Sequence, residues 1–218
     1  MTAATTQFAG WPADATAFLA EIAATNTAEF WAANRQRHAD AVDAPTHALA
    51  VALQAEFGPP RVFRPYVNRR FRPGADPYRT DAGLAVATGG GAVLSAVLSA
   101  AALTVAAGHW EFDAGQLRRY RTAVDGEPGA ELERVLTGLE AGLAVVPGHV
   151  LTGSPRGIRP DHPRIGLLRH RGLQVGAVWP AGPWLRTPEP LDRVRAAWRA
   201  ARPLVTWLDA HVGAPAAR

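Results

Sequence analysis

The chain of 218 residues contains no cysteine and no lysine. Lacking cysteine, it can form no disulfide, offers no thiolate to a metal and has no thiol nucleophile, which suits a reducing cytoplasmic setting. Lacking lysine, it has no Schiff-base amine, no ammonium to cradle phosphates and no lysine-dependent nuclease motif. All 23 basic residues are therefore arginines. Serine is scarce as well: Ser95, Ser99 and Ser154 are the only three, and none sits in the G-x-S-x-G turn of a hydrolase nucleophile. No basic segment followed by an apolar run opens the chain, so no signal peptide is expected. Residues 82–108 carry no charge, but the glycine triplet at 89–91 and the many Ala, Ser and Thr speak against a membrane-spanning helix.

What is present describes a globular protein. Hydrophobic residues make up 48% and charged residues 19%, enough apolar material for a core and too little charge for a disordered chain. The length predicts one domain over 1–218, with an ordered core at about 8–212. The net charge of +4 is unevenly spread. Segment 61–79 holds Arg61, Arg64, Arg69, Arg70, Arg72 and Arg79 against Asp76, a local +5. Segment 156–171 holds Arg156, Arg159, Arg164, Arg169 and Arg171 against Asp161, a local +4, which leaves the rest of the chain at −5.

Proline in the first turn after Trp11 predicts a first helix with Phe18, Leu19 and Ile22 on its apolar face. Thr27 reads as the N-cap of a second helix from Ala28 to about Val42, and Pro45 as the start of a third that ends near Gly58. Val62, Phe63, Tyr66 and Phe71 around Pro65 predict short edge-like strands. The 91–108 stretch fits two readings: Val93, Val97 and Ala101, with Ser95 and Ser99, recur every four residues as in a helix, and a strand pair competes. Asp113 caps a helix to about Val124, and another follows the 126–129 turn to about Glu140. Residues 146–163 read as loop, then come a short helix near Ile165–Arg169 and a strand at Val175–Trp179. Leu191, Val194, Trp198, Ala201, Val205, Leu208 and Val212 form the stripe of a long C-terminal helix kinked at Pro203. Trp31, Trp110, Trp184, Trp198 and Trp207 read as core, and Trp179 with Trp184 brackets a Pro-Ala-Gly-Pro turn.

Ordered pieces along the chain carry a resemblance. They are Phe8-Ala9-Gly10-Trp11-Pro12, Asn34-Arg35, Phe63-Arg64-Pro65-Tyr66, Arg70-Phe71, Pro77-Tyr78-Arg79-Thr80 and Gln116-Leu117 through Tyr120-Arg121. Further on come Pro155-Arg156-Gly157, Asp161-His162-Pro163, Leu168-Arg169-His170-Arg171 and Arg202-Pro203-Leu204-Val205. From about Phe8 to His211 the chain resembles the bacterial domain-of-unknown-function family 2461. The resemblance implies an α+β fold in one domain, with an antiparallel sheet packed with several helices, and makes 91–99 and 102–110 neighbouring strands. It implies no reaction and no cofactor. The chain departs from the family pattern at Val67-Asn68-Arg69, at Arg72-Pro73-Gly74-Ala75, at Leu94-Ser95 and Val97, and at His38, where polar, acidic or tyrosine residues are usual.

Three constellations bear on chemistry. His109, Glu111 and Asp113 alternate and would share a strand face suited to zinc or iron, although Asp113 reads more simply as an N-cap, so no metal is assigned. Asp161 and His162 are adjacent and would serve a hydrolase as base and partner, although adjacent side chains rarely face each other. The arginines offer planar forks for carboxylate or phosphate, interleaved with aromatic rings. Arg64, Arg70, Tyr78, Arg79 and Arg156 are the candidate ligand-binding residues because they fall on the family motifs. The preferred expectation is a binding protein whose two arginine-rich segments converge on an anionic small molecule. The modest net charge fits such a ligand better than a nucleic acid. The alternatives are a hydrolase-like enzyme using His and carboxylate groups, and a structural or interaction protein without ligand.

Overall fold

The computed structural model describes residues 7–68, 70, 74–140, 142–146 and 148–216. Arg69, Phe71, Arg72 and Pro73, which the sequence places in the basic segment, lie outside the described residues. The helices are α1 (Ala13–Ala24), α2 (Ala28–His38), α3 (Ala44–Phe57), α4 (Ala114–Asp125), α5 (Pro128–Thr137), α6 (Ile165–Leu168), α7 (Glu189–Ala200) and α8 (Arg202–His211). The strands are β1 (Arg61–Val62), β2 (Asp81–Ala87), β3 (Val93–Ser99), β4 (Ala102–His109), β5 (Ala144–Val145) and β6 (Leu173–Pro180). They form one antiparallel sheet in the order β1-β2-β3-β4-β6-β5, so the fold is α+β. Two-residue strands close both edges: Arg61 pairs with Ala85, and Ala144 with Gly176. Short edges leave few open backbone groups for another chain to pair with.

The uncharged stretch is strand, not helix. In β3, and in β4 as far as Ala107, burial alternates residue by residue, with Leu94, Ala96, Leu98, Leu103, Val105 and Ala107 on the core face. A spacing of four is also a multiple of two, so Val93, Ser95, Val97 and Ser99 simply occupy the other face of β3, and Ala101 lies in the turn after it. No helix among the described residues is long and apolar enough to cross a membrane.

The described chain divides into two compact units, one of residues up to Val86 with Ser95–Val105 and Val178–Ala196, the other of the remainder. In the first unit, α1 buries Ala15, Phe18, Leu19 and Ile22. Arg37 of α2 ties to α1 through Asp14 (2.8 Å) and Glu21 (2.6 Å), and these bonds hold both carboxyls below their ordinary range. Between α2 and α3 the chain makes a wide five-residue π turn, Ala39–Asp43. Pro45 has no N–H to give to the carbonyl four residues back, and the wider turn accommodates that gap. Buried Trp11 is held at both ends: its backbone N–H donates to Leu185 O (2.7 Å) and its Nε1 to the Thr46 hydroxyl (3.1 Å).

In the second unit, Tyr120, Val124, Leu132, Leu168, Leu204, Trp207 and Leu208 make the core. Asp113 caps α4 in a full capping box with Gln116. The Asp209 carboxylate accepts from the Thr88 hydroxyl at 2.9 Å and so fixes the turn between β2 and β3. The C-terminal helix expected over 191–212 is two helices. The break falls at Ala201, immediately before the turn that contains Pro203. Trp110 is a correction: it is 67% exposed, because it follows the last residue of β4 on the face opposite the core.

Candidate anion-binding site

Segment 61–79 belongs to the first unit and segment 156–171 to the second. In the first unit an antiparallel bridge joins Tyr66 to Tyr78. Asn26 holds the Tyr78 peptide from both sides, donating to its carbonyl (2.8 Å) and accepting from its N–H (3.0 Å). The Tyr78 ring stacks on Trp31 at 4.6 Å and 14°. Arg79 donates from Nε to Asp81 (2.7 Å) and lies over the Phe63 ring at 4.9 Å. Tyr78 and Arg79 therefore already have partners. Arg64 and Arg70 are exposed and make no ion pair among the described residues, and Arg156 in the second unit is the same. The five candidates thus separate into two packed residues and three exposed ones.

The other constellations resolve as structural supports. Asp161 pairs with Arg159 at 2.7 Å, not with its neighbour His162. The His162 ring faces Asp125 through Nε2 (3.0 Å), and its Nδ1 accepts the N–H of Arg164 (3.0 Å). With both nitrogens engaged, this imidazole anchors a loop and has no free nitrogen to act as a base. Asp113 caps α4 through the Gln116 N–H (2.7 Å), and no group of three or more potential metal ligands occurs among the described residues. His109 is buried beside Gln116, and Trp179 packs edge-on to Trp184 with Arg193 over the latter ring at 4.3 Å.

Burial depresses the affinity of His38, His109 and His170 for protons. Unfolding restores an ordinary imidazole that titrates at about 6.5. The unfolded chain then binds more protons below that pH, so these groups support the fold above it and cease to do so as the pH falls. Unfolding free energy measured in denaturant is expected to fall steadily from pH 7 to pH 5. A curve flat across that window would contradict the burial of these rings.

Cavities separate by size and charge. One of about 200 Å³ between Trp11, Pro12 and the 181–186 turn is below the usual range for a small organic ligand, roughly 300–1,000 Å³. A second, of about 330 Å³, is bordered by Arg159–Asp161 and His162–Asp125, pairs that satisfy one another. The third, of about 590 Å³, is lined by Arg118, Arg119, Thr122, Ala123, Pro128 and His211. Its lining carries two guanidinium groups, an imidazole and a hydroxyl over an apolar floor, and no carboxylate.

Each wall of this cavity is fixed by local structure. Arg118, Arg119 and Thr122 stand on α4, which the capping box starts at Asp113. Arg119 donates to Val212 O and to Ala214 O (2.9 Å), closing the C-terminal end of α8 where carbonyls lack helical partners. Arg118 has no ion-pair or hydrogen-bond partner among the described residues. His211 rests on Trp207 at 4.9 Å, and Trp207 Nε1 donates to Pro128 O at 2.9 Å. Asp113, the acid that interacts with Arg119, accepts from the Gln116 and Ala216 N–H groups and is held low first by the Gln116 bond and least by Arg119.

The sequence carries a signal for this site that the segment charges overlook. Arg118, Arg119 and Arg121 are three arginines in four residues on a helix with a marked cap. Among curated proteins no match to the chain is found. The model of the family described as "Conserved hypothetical protein (DUF2461)" matches residues 14–207, and the chain belongs to that family.

Proposed function

We propose that the protein binds a small anionic molecule, with a phosphate or carboxylate group joined to an apolar body, in the cavity of Arg118, Arg119, Thr122 and His211. One observation carries the reading: a cavity of about 590 Å³ with two arginines and a histidine on its wall and no carboxylate among its lining residues. Arg118 has an unused guanidinium fork, the geometry that takes an oxyanion through two parallel N–H bonds. Ala123 and Pro128 supply the apolar contact. The cavity is preferred over Arg64, Arg70, Tyr78, Arg79 and Arg156 because Tyr78 and Arg79 already have partners. The exposed Arg64, Arg70 and Arg156 have the weaker claim of open surface charge. A cytoplasmic location belongs to the same proposal and is supported by the absence of cysteine.

Phenyl phosphate tests this directly because it combines the two chemistries. It is expected to raise the melting temperature more than inorganic phosphate does, since a ligand that binds only the native state stabilises it. Arg118→Gln is expected to weaken phenyl phosphate binding by roughly tenfold to a hundredfold, the value of a charge-assisted hydrogen bond. Equal affinity in the variant, read by calorimetry, would defeat the proposal.

A further inference from the structure

We propose, on the strength of the cavity assigned above, that the anionic end of its ligand is a phosphate monoester, a dianion that Arg118 and Arg119 hold together above Gly115. Side chains on a helix lean back toward its N-terminus, over the residues three and four positions earlier. For Arg118 and Arg119 that residue is the same one, Gly115, in the first turn of α4. A Cβ on Gly115 would stand 3.4 Å from Arg119 Nη1 and 4.0 Å from Arg118 Nη2. The two tips are thus no more than about 7.5 Å apart, a span that one oxyanion bridges with two charge-assisted bonds of about 2.8 Å each. Glycine has no side chain to separate them.

Arg119 is already oriented for this grip. Its Nε donates to Val212 O and its Nη2 to Ala214 O, which fixes the guanidinium. Its Nη1, the nitrogen that approaches Gly115, makes no hydrogen bond among the described residues. Arg118 brings a whole fork with no ion-pair partner among the described residues. Both side chains are exposed and both line the cavity, so a ligand reaches them directly.

Charge and shape select the same group. Asp113 Oδ1 borders the same point at 3.2 Å and accepts the Gln116 N–H at 2.7 Å. Two guanidinium groups against that one carboxylate leave a net positive charge, whose attraction doubles from a monoanion to a dianion. Neighbouring residues on a helix point about 100° apart, so the two guanidinium groups approach from different sides. A phosphate monoester has three terminal oxygens in a tetrahedral array and accepts from both. A carboxylate has two oxygens in one plane, which match a single fork. A phosphate diester keeps only two free oxygens and one charge.

Calorimetry on the full chain compares phenyl phosphate, methyl phenyl phosphate and phenylacetate, which share a ring and differ in the anion. At about pH 7.5 the monoester is a dianion, since its second ionisation falls near 6. Phenyl phosphate is expected to bind at least about tenfold more tightly than either monoanion, the worth of one further charge-assisted bond. Arg119→Gln removes the second grip and should bring phenyl phosphate down to the level of the other two, whose single fork on Arg118 remains. A cavity merely loosened by losing the Arg119 bonds to Val212 and Ala214 would weaken all three ligands alike and keep their ratio. That result would overturn the proposal. Equal affinities in the unsubstituted chain would also overturn it and leave the binding cavity standing, whereas no binding by any of the three would remove the cavity reading with it.

Discussion

Replacing Trp207 by alanine is expected to cost about 3–5 kcal/mol of folding stability, the usual range for deleting a buried large aromatic side chain. Trp207 is 2% exposed. Its ring meets Tyr120 edge-on at 6.2 Å and supports His211 at 4.9 Å, and its Nε1 donates to Pro128 O. No small rearrangement of α4, α5 and α8 fills the space that such a ring vacates. Because Pro128 and His211 both line the cavity, the same substitution is expected to abolish phenyl phosphate binding. Trp207→Phe keeps a ring and loses the hydrogen bond, so it should lie between the two. Urea unfolding measures the effect, and a loss under about 1 kcal/mol would mean that Trp207 is not the support described.

Gly172→Ala is expected to cost roughly 3 kcal/mol, at the upper end for overpacking. A Cβ on Gly172 would stand 2.1 Å from Trp110 O and 2.8 Å from His109 O. These are backbone atoms of the partner segment, so no side-chain rotation relieves the clash. The backbones of β4 and β6 must separate, which also strains the adjoining Phe112–Arg171 hydrogen bond. Gly166→Ala is the control: nothing lies within 4 Å of its Cβ, and alanine favours a helix, so stability should hold or rise slightly. Equal unfolding midpoints for the two variants would contradict the close approach of the backbones.

Local chemistry made much of the fold readable. Thr27 and Asp113 are marked as N-caps by residue type, and both accept the expected backbone N–H. The stripe from Leu191 to Val212 announced a C-terminal helix, and Pro203 announced its break, because proline cannot supply the amide that continuity needs. The 91–108 stretch was not readable from periodicity, since small residues alternate there in a pattern common to both structures. Trp110 was misread because composition places tryptophan inside, whereas its position after the last residue of β4 puts it outside.

The candidate site was less readable, for a physical reason. Charge counted along a segment says nothing of where counter-ions stand in space. Arg79 sits in a strongly basic segment and is neutralised by Asp81, two residues away. Arg164 sits in the other and is tied to Glu133, thirty-one positions distant (2.9 Å). His162 finds its partner in Asp125 and not in adjacent Asp161. Arg118, in a stretch that no segment total singles out, has no carboxylate partner among the described residues. An anion site is defined by what is missing around a cation, and that becomes visible only when the chain is folded.

Arginine side-chain nitrogen signals followed by NMR during titration with phenyl phosphate give the sharpest reading of where an anion is held. The Nε resonances of Arg118 and Arg119 are expected to move first and to saturate together, with Arg64, Arg70 and Arg156 shifting weakly and in proportion to salt. Saturable movement at Arg64 and Arg70, with Arg118 and Arg119 unchanged, would contradict the assignment of the cavity as the ligand's seat.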